Sequence, residues 1–417
     1  MKTKIKISIL ALLVIVFAMP SSLSAQGGVN TLDECIRLAM DNNLTMKSGR
    51  ISIERAKDLQ GTAFNIEKTG FSLSQDPTSG GSPDNSISLS QSFDFPTVYT
   101  TRSKLLKAET NLERSNLEVT RNELVKEITA TYYQLLYARE NIKILQEQDS
   151  IYSKFLFLAS TKFKAGETSR LEQMNAERLY NENKIELQKA EKDYQNIQLI
   201  LQRWMNAEVS VNPLEAELPV MAANYPFNNF SAEQTPMGKV LQSQKEVSEK
   251  NLSVVKQGYL PSFNFALKNQ FLIKGFNPYD VERERFNKGN FMGFEVGVSI
   301  PLFFGEQRAK TKAAKREVEM VRVQQEEVIQ AMQKQYQTYI NDFYKAKNSL
   351  DYYTSQGITQ ADDITRISQI SYEKGEIGYV EYIQNLKTAV EIHLQRTNAV
   401  NDYNQTIIML NYIQGNK

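Results

Sequence analysis

One cysteine, Cys35, and one histidine, His393, are all that this 417-residue sequence has of either type. A lone Cys excludes a disulfide framework within the chain, and the two together exclude a zinc site of the Cys/His kind. Any Ser-His-Asp or Cys-His catalytic arrangement would have to be built on His393. That residue lies in a helical run with Val390, Leu394 and Gln395, where it reads as a plain helix side chain. An excess of one charge is missing too. The chain has 49 Lys and Arg against 48 Asp and Glu, a net charge of +1, which gives no nucleic-acid signal. It contains no phosphate loop and no metal-ligand spacing, only scattered carboxylates, and its Met residues form no ligand cluster. Neither an enzyme nor a bound cofactor or metal is expected.

Long apolar runs are confined to the N-terminus. Lys2, Lys4 and Lys6 precede an apolar stretch from Ile7 to Met19, followed by Pro20 and small residues to Ala25. This basic, apolar, small order predicts a secretory signal peptide over 1–25, cleaved near Ala25-Gln26, although Leu23 fits the small-x-small rule poorly. The apolar stretch is short of the ~20 residues that a spanning helix needs. No Cys follows it directly, which argues against a lipid anchor. An exported chain without another apolar helix can cross a membrane only with strands.

What the sequence does have is length of helix. From Thr101 to Ala165 there is no Gly or Pro, and the run stops at Gly166-Glu167. As a helix that is a rod of about 90 Å. Leu124, Ile128, Leu135, Ala138, Ile142, Leu145, Tyr152, Leu156, Ala159 and Phe163 recur at steps of three and four, broken at Thr131 and Asp149. This is a coiled-coil seam. A second rod from about Glu306 carries Met332, Tyr336, Tyr339, Phe343, Ala346, Leu350 and Tyr353 and ends at Gly375-Glu376. Gly357 weakens it locally by about 1 kcal/mol relative to Ala. Each rod is followed by a return helix. Each is also preceded by a helix and two segments of period two. Thr31 with Glu34 predicts a capping box for the first of these helices, which is expected to run to about Gln60, ended by Gly61.

The cleanest strand, Ser86 to Phe95, sets Ile87, Leu89, Phe93 and Phe95 against four Ser and an Asp. Met292 to Ile300 repeats the design with Gly, Glu and Ser on its other face. Shorter strands are expected at 70–74 and 262–268, with turn chemistry at Asp76–Asp84. Pro96 and Pro301 close the two longer strands. The chain thus reads as two structural repeats, 26–206 and 235–417, joined by a connector at 207–234 that holds Pro213, Pro219 and Pro226.

Four strands with one apolar face suit a bilayer wall but cannot close on themselves, and an open edge in lipid is costly. Copies of the chain must share a barrel, and three copies give twelve strands, an even number found among such barrels. The expected fold is mainly α with a small antiparallel β part. A long coiled-coil α-barrel continues a trimeric twelve-stranded transmembrane β-barrel to which each chain contributes four strands. Helices before the strands and after the rods are expected to stack end to end beside the rods. A soluble half-buried sheet, in a periplasmic coiled-coil adaptor or structural protein, is the alternative.

The duplicated order, the Thr-Leu-x-Glu-type opening helix, Phe95-Pro96 and Ile300-Pro301 before the rods, and the two Gly turns resemble the TolC-type outer-membrane efflux factors. The resemblance covers the chain from about Thr31 to its end and is most specific over Tyr372 to Leu410. It implies a homotrimeric channel-tunnel in outer-membrane lipid, the passive exit duct of a tripartite efflux or type I secretion system. Its partners would be a periplasmic adaptor protein and an inner-membrane pump. The wording from Ser90 to Tyr99 is similar to members serving heavy-metal pumps of the resistance-nodulation-division class. The resemblance further implies adaptor docking at the helical turns Gly166-Glu167 and Gly375-Glu376. It implies a periplasmic aperture at Glu172, Glu381 and Tyr372, with Gln384 where a second acidic ring is usual. Ile377 stands at the family's basic locking position, for which Arg170 is the nearest substitute.

Overall fold

The computed structural model describes residues 29–77, 83–223, 230–272 and 290–416. The signal-peptide segment, the hairpin turn 78–82, residues 224–229 and the loop with Gly275, Pro278 and Gly289 lie outside them.

Thr31 opens α1 (Leu32–Asn42) with the expected capping box, its hydroxyl accepting the Glu34 N–H while the Glu34 carboxylate accepts the Thr31 N–H. The helix does not continue unbroken to Gln60. Asn43 leaves the helical region at ψ 129 and starts α2 (Leu44–Leu59). Its Oδ1 accepts from the N–H groups of Thr45 and Met46 at 2.9 and 3.3 Å. Its Nδ2 donates to the Trp204 carbonyl at 2.9 Å. A short side chain that satisfies the backbone this way ends one helix and begins another. Gly61 does not end α2 either, but sits inside a 3-10 turn over Gln60–Phe64.

The first rod is α3 (Pro96–Lys164), with Phe95 at its N-cap and Pro96 in its first turn, where a missing N–H costs nothing. Its return helix α4 (Arg170–Met205) ends at Asn206, whose left-handed φ of 46 caps it. The Asn206 Nδ2 donates to the Asn42 carbonyl at 3.2 Å. Two asparagines therefore join α4 and α2 end to end. The second half repeats the plan with α5 (Pro236–Lys256), α6 (Gly305–Tyr352), α7 (Ile358–Glu373) and α8 (Tyr379–Gln414). There α8 closes on Gly415, at φ 70, packed against Pro236 at the head of α5. Pro301 does not begin α6 as Pro96 begins α3. An irregular run to Phe304 intervenes, and it leaves Leu302 and Phe303 exposed.

The helices form four staves. The α4–α2 stave lies on one side of α3, and the α8–α5 stave on the other. The α6–α7 stave comes next, packed on α5 and α8. The expected seams form the core. Leu124, Ile128, Leu135 and Ala138 of α3 and Tyr336, Phe343, Ala346 and Leu350 of α6 are buried. Tyr132 and Leu136 widen the seam of α3, whereas Phe157 faces outward. The connector is strapped onto α3 by Tyr132, whose hydroxyl donates to Glu215 at 2.7 Å, and by Arg139, which donates to the Pro213 carbonyl at 3.0 Å.

The two seams match residue for residue from Leu124 and Met332 to Leu145 and Tyr353. Past that point Gly166 matches Gly375 only if the second rod is given one residue more. The extra residue is absorbed at Tyr353–Gly357, one turn of π-helix between α6 and α7.

β1 (Gly70–Pro77), β2 (Pro83–Asp94), β3 (Ser262–Leu272) and β4 (Asn290–Ser299) form one antiparallel sheet in that order. Directly opposite residues make one apolar face, as in the row Phe71, Leu89, Leu267, Phe294. The other face is Ser72, Ser88, Lys268 and Gly293, then Gly70, Ser90, Ala266 and Glu295. Hydroxyl pairs Ser72–Ser88 and Ser74–Ser86 at 2.7 Å and a Lys268–Glu295 ion pair at 2.6 Å run across it. Among the described residues no helix covers the apolar face, and Phe294 is 81% exposed. Among the described residues no helix is long and apolar enough to cross a membrane.

Asn43→Ala removes both the cap of α2 and the tie to α4. It should lower stability by about 2 kcal/mol, read as a lower urea midpoint. Asn43→Asp keeps the cap oxygen and should cost roughly half as much.

Candidate functional site

The distal ends of the rods are two helical turns of one design. At the first, the Gly166 N–H donates to the Phe163 carbonyl at 3.0 Å and the Glu167 N–H to Lys162 at 2.9 Å. At the second, Gly375 donates to Tyr372 at 3.1 Å and Glu376 to Ser371 at 2.8 Å. Both are Schellman caps, and both glycines have φ 75. No atom lies within 4 Å of where a Cβ would stand at either glycine, so the conformation alone requires glycine there. All four turn residues, Gly166, Glu167, Gly375 and Glu376, are exposed. The Glu376 carboxylate accepts from Ser371 Oγ at 3.0 Å, whereas Glu167 has no side-chain partner among the described residues.

The aperture candidates separate. Glu172 is half-buried at the head of α4. The Ser169 hydroxyl accepts its N–H at 3.2 Å, and its carboxylate accepts from the Thr168 hydroxyl. It thus serves as part of a helix cap. Glu381 and Gln384 are exposed one turn apart on α8, and their side chains make no hydrogen bond or ion pair among the described residues. Glu172 lies close enough to the head of α8 for its carboxylate to act on Tyr379, two residues before Glu381. Tyr372 is half-buried, and its ring stacks on Tyr382 at 4.6 Å between centroids. The Lys162 ammonium stands over the Tyr372 ring, 5.0 Å from its centroid. Arg170 instead lies over Phe163 and donates to Gln173 at 2.7 Å. The cation that meets Tyr372 is therefore Lys162 rather than a residue at 377 or 170.

Sequence reasoning did not find the aromatic cluster that joins the two hairpins. Phe155 of α3 is buried against Tyr379 at 4.8 Å and reaches Tyr382 at 6.5 Å. Around it Tyr152, Ala159, Ala176, Leu179, Ile383 and Leu386 make a distal core separate from the larger one near the connector. Burial pushes the Tyr379 hydroxyl up to about 12, helped by the nearby Glu172 carboxylate. It stays a neutral phenol throughout the working pH range. The available signal was Tyr379 and Tyr382 three apart in the first turn of α8, a spacing that puts two rings on one face.

Gly375→Ala forces an L side chain into the left-handed region at a cost of about 1 kcal/mol, while Gly375→Asn should cost less. Hydrogen exchange at the Glu376 amide should quicken in that order, Asn before Ala.

The residues 42–207 and 244–416 match the family model described as outer membrane efflux protein. No curated protein matches the chain. Among solved structures it resembles CusC, in crystal structures described as showing transmembrane channel formation, with a TM-score of 0.78 at 14% identity. That match covers 94% of this chain and 93% of the other. The Campylobacter jejuni CmeC outer membrane channel matches at TM-score 0.72 and 16% identity, covering 92% and 85%. The Neisseria gonorrhoeae MtrE outer membrane channel, in its open state, matches at 0.72 and 14%, covering 92% and 89%. The family is one of channels rather than of enzymes. With both halves matched, the chain belongs to the outer membrane efflux protein family.

Proposed function

We propose that three copies of this chain form a passive exit duct through the outer membrane and the periplasm. The observation that carries this is the agreement of two orders. Strands run β1, β2, β3, β4, and the staves that continue them run α4–α2, α3, α8–α5, α6–α7. The open edges of the sheet, β1 and β4, therefore belong to the two outermost staves. Of the exposed large apolar residues on the α-helices, most belong to those staves, such as Ile51, Ile185 and Leu199 on one and Val323, Tyr344 and Ile367 on the other. The inner helices α3, α5 and α8 leave only Phe157, Leu158 and Val380 of that class exposed. One lateral contact between copies satisfies sheet and helices together, and three such contacts close both.

In this assembly the apolar face meets lipid and the Ser and Gly face lines the lumen. The two repeats, 26–206 and 235–417, are then successive segments of one wall, delivered by a cleaved signal peptide. The duct has no energy source of its own. The exposed turns at Gly166-Glu167 and Gly375-Glu376 offer the docking points for a periplasmic adaptor, and through it an inner-membrane pump supplies the work. Glu381 and Gln384, exposed on α8 beside the turn, line the aperture. Glu172 supports it from behind as a cap residue. Lys162 on Tyr372 holds the two hairpins together.

Purified in detergent, the chain should run as a heat-modifiable trimer and conduct ions in a planar bilayer, and a monomer without conductance would sink the duct. Glu381→Gln should move the reversal potential in a salt gradient toward zero, because a ring of carboxylates favours cations. An unchanged potential would remove Glu381 from the aperture.

A further inference from the structure

We propose that seven basic residues form a collar on the outer side of the wall, just below the sheet, and bind anionic phospholipid headgroups of the periplasmic leaflet. They are Lys57 of α2, Lys104 and Lys107 of α3, Lys256 of α5, and Arg308, Lys312 and Lys315 of α6. This rests on the membrane placement proposed above and adds a lipid preference to it.

The chain as a whole carries a net charge of only +1, so the excess is local. All seven residues are exposed, and none has an ion pair or side-chain hydrogen bond among the described residues. Other cations of the same end are taken. Arg102 pairs with Asp94 at 3.6 Å, Lys310 with Glu306 at 2.7 Å and Arg316 with Glu319 at 2.5 Å. Height along the helices is shared too. Lys57 and Lys256 lie in the last turns of α2 and α5. Lys107 and Lys315 lie within about 17 Å of the starts of α3 and α6.

Rotation around each helix decides the side. Asp94 belongs to the Ser and Gly face of β2, so its partner Arg102 marks the lumenal side of α3. Successive residues turn by about 100°, which sets Lys104 and Lys107 about 160° and 140° from Arg102, on the outer side. The preceding stave meets α3 at Thr110, whose hydroxyl accepts from Gln60 at 2.7 Å. It meets α6 at Gln307, which donates to the Val255 carbonyl. Lys104 and Lys107 are turned about 120° and 60° from Thr110. Arg308, Lys312 and Lys315 are turned about 100°, 140° and 80° from Gln307 in the same sense. Both helices run away from the sheet, so the same sense means the same side. Glu306 and Lys310 are turned the other way, toward the lumen.

α2 and α5 run toward the sheet, with α3 on opposite flanks of them. Gly49 of α2 faces α3 at Leu117, and Gln257 after α5 faces it at Thr97. Lys57 and Lys256 are turned about 80° and 100° from these in opposite senses, which brings both outward.

The collar continues the apolar face of the sheet. Between β4 and Arg308 lie Leu302 and Phe303, exposed at 77% and 92%. Apolar side chains at a bilayer edge, with cations directly beyond them, make an interfacial anchor whose charges meet anionic headgroups. Glu54, Asp58 and Glu249 are exposed on α2 and α5 and offset part of the charge there, so α3 and α6 carry most of the attraction.

The test is lipid preference read beside the collar. Trp204→Phe removes the single Trp of the chain, and Phe303→Trp then supplies a reporter. The trimer is reconstituted in phosphatidylcholine vesicles holding a fraction of brominated phosphatidylglycerol or brominated phosphatidylcholine, which quench Trp on contact. Phosphatidylglycerol should bind at least about threefold more tightly than phosphatidylcholine at low salt. Arg308→Gln, Lys312→Gln and Lys315→Gln together should bring the ratio near one, as should high salt. Lys310→Gln should leave it unchanged. Native mass spectrometry of the trimer with Trp204 intact, counting retained phosphatidylglycerol, makes the same comparison should the reporter variant not fold.

A ratio of one with the collar intact overturns the proposal, and so does a preference that survives the triple change. An equal fall with Lys310→Gln overturns the outward placement. No lipid preference, with cell-wall sacculi bound through the same three residues, gives the collar to that anionic polymer instead. Protein that does not float with the vesicles overturns the membrane duct itself.

Discussion

A β-strand at the edge of a sheet has a row of N–H and C=O groups with nowhere to bond, and in hydrocarbon each such group costs several kcal/mol. β1 and β4 both end the sheet in this way, and its apolar face is exposed. Much else follows from that one debt of hydrogen bonds. The sheet needs neighbours of the same kind and an even number of antiparallel strands. It also needs the helices below to follow the strands in the same circular order. Each strand is joined to its own stave, so closing the sheet closes the cylinder.

The joints between strand and helix differ according to where they lie. Inside the chain, β2 passes into α3 without an intervening residue beyond Phe95, and Phe95 stacks on Phe263 at 6.2 Å. Beside it the Thr97 hydroxyl donates to Gln257 at 2.7 Å. At the outer edges the passages are long: Asn65 to Thr69 before β1, and Ile300 to Phe304 after β4. Tight joints fix the inner staves. Long ones let the edge strands take up the tilt that a closed barrel imposes.

The sequence showed the large elements because each rests on a repeated local rule. Heptad spacing gave both rods, alternation gave the strands, and Thr31 and the two Gly turns announced their caps. What it concealed was decided by contacts between distant residues. Asn43 resembles any polar residue in a helix until the Trp204 carbonyl comes within reach of its amide. Phe155 adjoins Leu156, the expected seam residue, yet Phe155 is the one buried, because Tyr379 arrives from the other half of the chain. The Thr168 hydroxyl on the Glu172 carboxylate, in the turn between α3 and α4, was equally beyond a reading by spacing. The Lys162–Tyr372 contact could not be read at all, since no local pattern links two separate rods.

The π turn at Tyr353–Gly357 bears on symmetry. Without it, the two hairpins of each chain would be nearly interchangeable, and the distal rim of a trimer would approximate a ring of six like teeth. The added residue shifts α7 in phase against α6 and has no counterpart in α3. Teeth of two kinds therefore alternate around the rim. A ring of partner helices placed against it meets two different grooves in turn, so the contact repeats three times around the axis, not six.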